Sequence, residues 1–158
     1  MIISMTKSAD TSQPFILFEL DHTTYGIPSG VVQQMEMVEQ ITPVPNSASF
    51  VVGVVFSRGQ VIPAIDLRVR FGFAKIPYTL RTRLIVINTN QRTVGLIVDT
   101  AREFVSIPAQ TIQPSPEGIS SLSGKYLAGI ATLGERVILI LNVEELLVLP
   151  ELVSERGG

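Results

Sequence analysis

A reacting centre needs polar groups that converge on one point, and the sequence offers few. His22 is the single histidine and there is no cysteine. His22 falls within Asp21-His22-Thr23-Thr24, ordinary turn chemistry, and no second ligand follows at metal spacing. The lack of cysteine excludes disulfides, thiolate zinc sites and a cysteine nucleophile, and agrees with a reducing interior. Ser29, His22 and Asp21 are the ingredients of a nucleophilic triad, yet no Gly-x-Ser-x-Gly elbow supports one. No glycine-rich phosphate cradle of the Gly-x-x-x-x-Gly-Lys or Gly-x-Gly-x-x-Gly type is present either. The carboxylates Glu36, Glu39, Asp66, Asp99, Glu103 and Glu117 are scattered, which is the pattern of solvated surface charge more than of paired acid and base. The expectation is a protein without cofactor, metal or turnover. Its distinctive features are apolar strands, small glycines and a few placed charges, which suit recognition of other proteins.

Composition narrows the partners. The chain has 158 residues, 46% of them apolar, enough to build a core. Its apolar runs, such as Phe50 to Phe56 and Val137 to Leu141, fall far short of the roughly 20 residues that cross a bilayer. No membrane insertion is expected, and Met1 to Gln13 has no signal-peptide pattern, so the expected compartment is the cytoplasm. With 12 basic residues spread along the chain and a net charge of −2, the footprint of a nucleic-acid binder is missing.

The elements that must position any site are short. β-Branched runs bounded by Gly, Pro, Asn or Asp predict strands at Phe15 to Leu20, Thr24 to Pro28, Met35 to Thr42, Val51 to Ser57 and Gln60 to Ile65. Further strands are expected at Leu84 to Asn88, Thr93 to Asp99, Phe104 to Ile107, Tyr126 to Leu133 and Arg136 to Asn142. Asp21-His22-Thr23, Ser57-Arg58-Gly59, Asn88 to Arg92 and Gly134-Glu135 read as hairpin turns. Helix is confined to Val143 to Leu149, with Asn142 as N-cap and Pro150 as stop, and to a turn opened by Asp66.

The sequence also repeats. Phe50-Val51-Val52-Gly53 with Val61, Pro63, Ile65, Asp66 and Leu67 aligns without a gap to Tyr126-Leu127-Ala128-Gly129 with Val137, Leu139, Leu141, Asn142 and Val143. Upstream, Phe15 to Phe18 and Tyr25-Gly26-Ile27 align to Leu84 to Ile87 and Val94-Gly95-Leu96, with one loop insertion placed at Pro116 to Lys125. Two copies cannot make a solenoid, so the halves must close on each other and bury a seam, a natural groove for a partner.

The stretch Phe50-Val51-Val52-Gly53-Val54-Val55-Phe56-Ser57-Arg58-Gly59-Gln60-Val61-Ile62-Pro63-Ala64-Ile65-Asp66-Leu67 resembles the hallmark of the CheW family, approximately F-x-x-G-v-x-n-x-R-G-x-v-x-P-v-x-D-L. The likeness runs from Phe15 to Leu149 and includes Val94 to Asp99 and Tyr126 to Gly129. It implies an all-β fold of two small five-stranded barrels, like those of Src-homology-3 or OB folds, with strands exchanged between them, a third apolar cluster at their junction and a short C-terminal helix. On this reading 14–150 form one domain with repeat halves near 15–80 and 81–150, flanked by a flexible N-terminus (1–13) and tail (151–158).

The resemblance implies function as well: a non-enzymatic adaptor that couples the cytoplasmic tip of a chemoreceptor to the regulatory domain of the histidine kinase CheA. A CheW-like scaffold of a pilus, surface-motility or regulatory system is the alternative. The receptor tip would lie in the junction groove near Val32, Gly53, Gly95, Val98 and Phe104, and Gln34, Val55 and Arg58 would contribute to the partner surfaces. Arg58 also reads as a turn residue, and Gly53 and Gly129 as glycines required by backbone geometry. Gln34 stands where relatives carry Glu, so a neutral hydrogen bond to Arg58 would replace an ion pair. Gly118-Ile119 stands where relatives place an aromatic used in ring assembly.

Overall fold

The computed structural model describes residues 12–89, 91–114 and 126–148. The chain opens with a hairpin of β1 (Ser12–Leu20) and β2 (Thr23–Pro28), then passes through a 3-10 turn, Ser29–Val31, to β3 (Val32–Met37). There follow β4 (Val51–Ser57), β5 (Gln60–Asp66), the single-turn helix α1 (Leu67–Arg70), β6 (Arg83–Thr89) and β7 (Arg92–Val98). The last part holds β8 (Thr100–Pro108), β9 (Ile112–Gln113), β10 (Leu127–Leu133), β11 (Arg136–Leu141) and α2 (Val143–Leu146).

These strands form a six-stranded sheet in the order β8-β1-β2-β11-β10-β9 and a five-stranded sheet in the order β3-β6-β7-β5-β4. The first hairpin therefore leaves its own half and completes the sheet built from the last four strands. The exchange is reciprocal. β2 lies parallel to β11, with Gly26 opposite Ile140, and β7 lies parallel to β5, with Gly95 opposite Ala64. Both parallel pairs join positions equivalent in the sequence repeat.

Two of the expected turns find this geometry: Asp21 and His22 take φ of 52° and 68°, and Arg58 and Gly59 take 52° and 76°. Positive φ at both central positions matches the right-handed twist of hairpin strands. Asp66 caps α1 by accepting from the amides of Arg68 and Val69, and Asn142 caps α2 by accepting from that of Glu145. Two expectations need correction. β3 begins at Val32 and ends at Met37, and Thr42 meets β4 only through an isolated bridge to Val54. The sheet of the second half gains a sixth strand, β9, whose two residues are too few to show alternation in sequence.

Strand alternation sorts the apolar side chains into three clusters. Phe15 and Leu17 of β1 pack with Ile107, Ala131, Ile138 and Ile140 inside the six-stranded sheet. Leu84 and Val86, their repeat counterparts in β6, pack with Val55, Ile62, Ala64 and Ile97 inside the five-stranded one. The intervening residues, Ile16 and Phe18 in β1 and Ile85 and Ile87 in β6, turn the other way and meet in a cluster shared by both sheets. Each such buried side chain stabilises the fold by about 1.5–3 kcal/mol. Through the shared cluster runs an aromatic column, Phe18, Tyr25, Phe71 and Tyr126, with ring centroids 5.8, 5.6 and 5.5 Å apart in turn. Among the described residues no helix is long and apolar enough to cross a membrane.

Candidate interaction surfaces

β3 and β4 are the two edges of the five-stranded sheet. The chain leaving β3 pairs with β4 through Thr42, whose amide and carbonyl exchange hydrogen bonds of 2.9 and 2.8 Å with Val54. Gly53 makes this approach possible. Its φ is 151°, and a Cβ there would stand 2.2 Å from the Thr42 carbonyl oxygen. Further along the same edges, the Gln34 amide donates to Glu36 and to the Ser57 hydroxyl, and that hydroxyl donates to Glu36 Oε2 at 2.7 Å. Three side chains thus clasp β3 to β4. The expected bond between Gln34 and Arg58 does not form; the Gln34 side chain is turned into the clasp instead.

Outside the clasp the surface sets exposed apolar side chains, Phe56, Met35 and Met37, beside the charged Arg58 and Glu39. Gln34, Met35, Glu36, Phe56, Ser57 and Arg58 line one shallow depression. An adjoining one is lined by Met37, Val38, Val55 and Phe56 among others. Phe56 is 74% exposed, and Val61, its cross-strand partner, is 62% exposed. Arg58 is exposed and makes no side-chain hydrogen bond or ion pair with any described residue. Gln34 and Arg58 therefore share one surface. Val55 lies beneath it, buried in the sheet's own core, and supports the surface without facing out. Sequence reasoning passed over Phe56, Met35 and Met37, although strand alternation, with Val55 inward, already turns Phe56 to solvent.

The residues expected at the receptor groove do not form one exposed face. Phe104 does face solvent, 66% exposed, from β8 in the six-stranded sheet opposite Ile16. Val98 is 1% exposed within the shared cluster, and a Cβ on Gly95 would stand 2.6 Å from the Leu84 side chain. Gly53 is closed off by Thr42 and Ile41. Val32 is half-buried against the shared cluster. Val32 and Val98 belong to the seam, Gly53 and Gly95 to the wall of the five-stranded sheet, and Gly53, Gly95 and Val98 are buried. A depression does cross the seam, lined by Pro28, Val31, Thr89, Ala128 and Leu141. Gly118-Ile119 lies outside the described residues.

Charges brace the same seam from the other side. Arg68 Nη1 donates to Asp99 Oδ2 at 2.6 Å and Nη2 reaches Asp21 Oδ1 at 3.5 Å, while the Asp21 amide donates to Asp99 at 2.9 Å. On the six-stranded sheet Arg136 makes a two-pronged contact with Glu103, at 2.7 and 3.1 Å, which raises the arginine pKa. Among the described residues no group of three or more His, Asp or Glu could hold a metal ion.

The family model of the CheW-like domain matches residues 14–151. The chain belongs to the CheW-like domain family. It is similar to the chemotaxis protein CheW of Klebsiella aerogenes, at 37% identity over 92% of this chain and 87% of that one. Protein FrzA of Myxococcus xanthus is similar at 33% identity over 91% of each chain. Among solved structures, the crystal structure of the scaffolding protein TtCheW from Thermoanaerobacter tengcongensis superposes with a TM-score of 0.77 at 29% identity, covering 83% of this chain and 89% of that one. Members of this family act as scaffolding adaptors in chemotaxis, and the all-β, two-sheet fold with a short C-terminal helix is theirs.

Proposed function

We propose that the protein is a non-enzymatic adaptor that couples a chemoreceptor tip to the regulatory domain of the histidine kinase CheA, reaching the membrane-bound array only through these partners. The observation that carries the reading is the placement of two exposed aromatic residues on different sheets, Phe56 beside Arg58 on one and Phe104 on the other. A bridging protein needs two such faces, since partners that bind at once cannot share one patch. The kinase domain is assigned to the Gln34 to Arg58 surface, with Val55 beneath it. The receptor tip is assigned to the Phe104 side of the seam, with Val32, Gly53, Gly95 and Val98 setting the backbone behind it. A non-flagellar array is not favoured, because the K. aerogenes relative, at 37% identity against 33% for FrzA, carries the chemotaxis name.

Calorimetric titration against a CheA regulatory domain, then against a receptor-tip hairpin in its presence, tests the reading. Saturable binding of both without mutual exclusion is expected. Phe104→Asp should abolish tip binding with an unchanged melting temperature, because the ring is exposed and supports little of the core. If that variant folds and still binds the tip, the groove is misplaced, and if the parent chain binds neither partner, the adaptor role fails.

A further inference from the structure

Ser57 is a polar side chain in an unusual place: 8% exposed on an edge strand, between two residues that face solvent. Its hydroxyl is the point at which Gln34 and Glu36 of β3 meet β4. Immediately after it the chain turns through Arg58 at φ of 52°, a conformation costly to any residue with a Cβ. Immediately before it stands Phe56, 74% exposed, and Met35 from the opposite edge lines the same depression as Phe56 and Arg58. The clasp engages the Gln34 amide nitrogen and Oε2 of the Glu36 carboxylate, and Arg58 pairs with neither residue. What is left facing outward is a bare cation beside an aromatic ring.

We propose that Phe56 and Arg58 form a two-pronged contact for a carboxylate flanked by apolar surface on the kinase regulatory domain, and that Ser57 is the positioning residue that holds both prongs outward. This deepens the adaptor reading and rests on it. An unpaired guanidinium favours an anionic partner group, and the flanking ring and methionine exclude water from the contact and strengthen it. Without the Ser57 hydroxyl, Glu36 is released from β4 and can turn onto Arg58, so the cation is cancelled from within the protein.

The test is calorimetry of the full chain against the kinase regulatory domain at low and high salt, with thermal melts of every variant. Phe56→Ser and Arg58→Gln should each weaken binding about tenfold or more. Arg58→Gln should also flatten the salt dependence. Ser57→Ala should weaken binding several-fold with the same flattened salt dependence, and adding Arg58→Gln to it should cost little more, the signature of coupling. Gln34→Glu, which offers Arg58 a carboxylate on its own chain, should mimic the effect through a different atom. Ser57→Ala that lowers the melting temperature yet keeps the parent's affinity and salt dependence overturns the positioning role. Tight parent binding that survives both Phe56→Ser and Arg58→Gln overturns the contact while the adaptor reading stands. A parent chain with no affinity for the kinase domain overturns both.

Discussion

Arg68 Nη1 lies 2.6 Å from Asp99 Oδ2 and ties the helix that follows β5 to the crossover between β7 and β8, where the chain passes from one sheet to the other. Asp21, in the turn of the exchanged hairpin, joins from 3.5 Å. The Arg68 side chain is 12% exposed and that of Asp99 22%, whereas Asp21 is 49% exposed. Burial decides the ranking. Asp99→Ala removes the short contact and the acceptor of the Asp21 amide, leaving a mostly buried cation with only Asp21 and the Ala74 carbonyl, at a cost of about 1–3 kcal/mol. Asp21→Ala should cost at most about 1 kcal/mol, as for an exposed ion pair. Urea unfolding of both variants checks the order, and equal losses would mean that the network does not brace the seam.

Tyr78 gives a dependence on pH. Its hydroxyl donates to Asp66 Oδ2 at 2.8 Å, and its pKa is raised, chiefly by burial and then by the hydrogen bond and charge of Asp66. An acid whose pKa is raised on folding stabilises the protein fully below the unfolded value of about 10, and that contribution is lost as pH climbs through the higher folded value. At neutral pH Tyr78→Phe should cost about 1 kcal/mol for the lost hydrogen bond. The deficit should shrink above pH of about 10, where the parent starts to lose the same contribution. Burial also raises the Tyr25 pKa, with Asp21 a smaller cause, so phenolate absorbance should show late ionisation in the parent, part of which disappears with Tyr78. A constant difference at all pH values would count against the buried phenol.

Three glycines separate close approach from simple freedom. Gly53→Ala meets the Thr42 carbonyl oxygen at 2.2 Å and suffers an unfavourable φ, so a loss of about 3–5 kcal/mol is expected. At Gly129, its repeat counterpart, the new Cβ would stand 2.8 Å from the Gln113 carbonyl oxygen with no positive φ, and the loss should be nearer 1–3 kcal/mol. At Gly30 nothing lies within 4 Å, and Ala there should be neutral or stabilising by about 0.4–1 kcal/mol through the unfolded state. Chemical unfolding of the three variants tests the series, and a Gly53→Ala protein as stable as the parent would disprove the close approach of the two edges.

Why some of this was legible and some was not follows from locality. Val51 to Ser57 and the Arg58-Gly59 turn carry their own alternation and turn chemistry, and the strand and its turn lie where the sequence puts them. Asp66 and Asn142 announce helix starts through side chains that act within three residues. The repeat exposed the equivalence of Phe15 with Leu84 and of Gly53 with Gly129, which their matching places in the two separate sheet cores and the two matching bulges bear out. The Gln34, Ser57 and Glu36 clasp depends instead on how far a sheet curls, a property of the whole barrel-like wall. That is why Gln34 was expected at Arg58. The family resemblance set Gly95 and Val98 near a groove, and their burial is a tertiary property as well: in a sheet covered on both faces every residue is apolar or small, and sequence does not distinguish a buried wall from a groove lining.

Arg70 closes the other end of the seam. It is 7% exposed, its Nη2 donates to the Val148 carbonyl at 2.6 Å, and its guanidinium lies 4.2 Å over Phe50 and 5.2 Å over Tyr126. Arg92 donates to the neighbouring Leu147 carbonyl at 2.9 Å, so two cations from the first half and β7 meet the negative end of α2. Only a planar guanidinium can lie flat on both rings and still reach the carbonyl. Arg70→Lys should therefore cost about 2–4 kcal/mol, since a buried ammonium loses its stacking and much of its hydrogen bonding. Arg70→Met should cost less than Arg70→Lys, because no charge remains to be desolvated and the apolar side chain keeps contact with Phe50 and Tyr126. Urea melts give the ranking, and hydrogen exchange should show faster opening of the α2 amides in both variants. If Lys serves as well as Arg, the stacked geometry contributes nothing and charge alone holds the C-terminal helix in place.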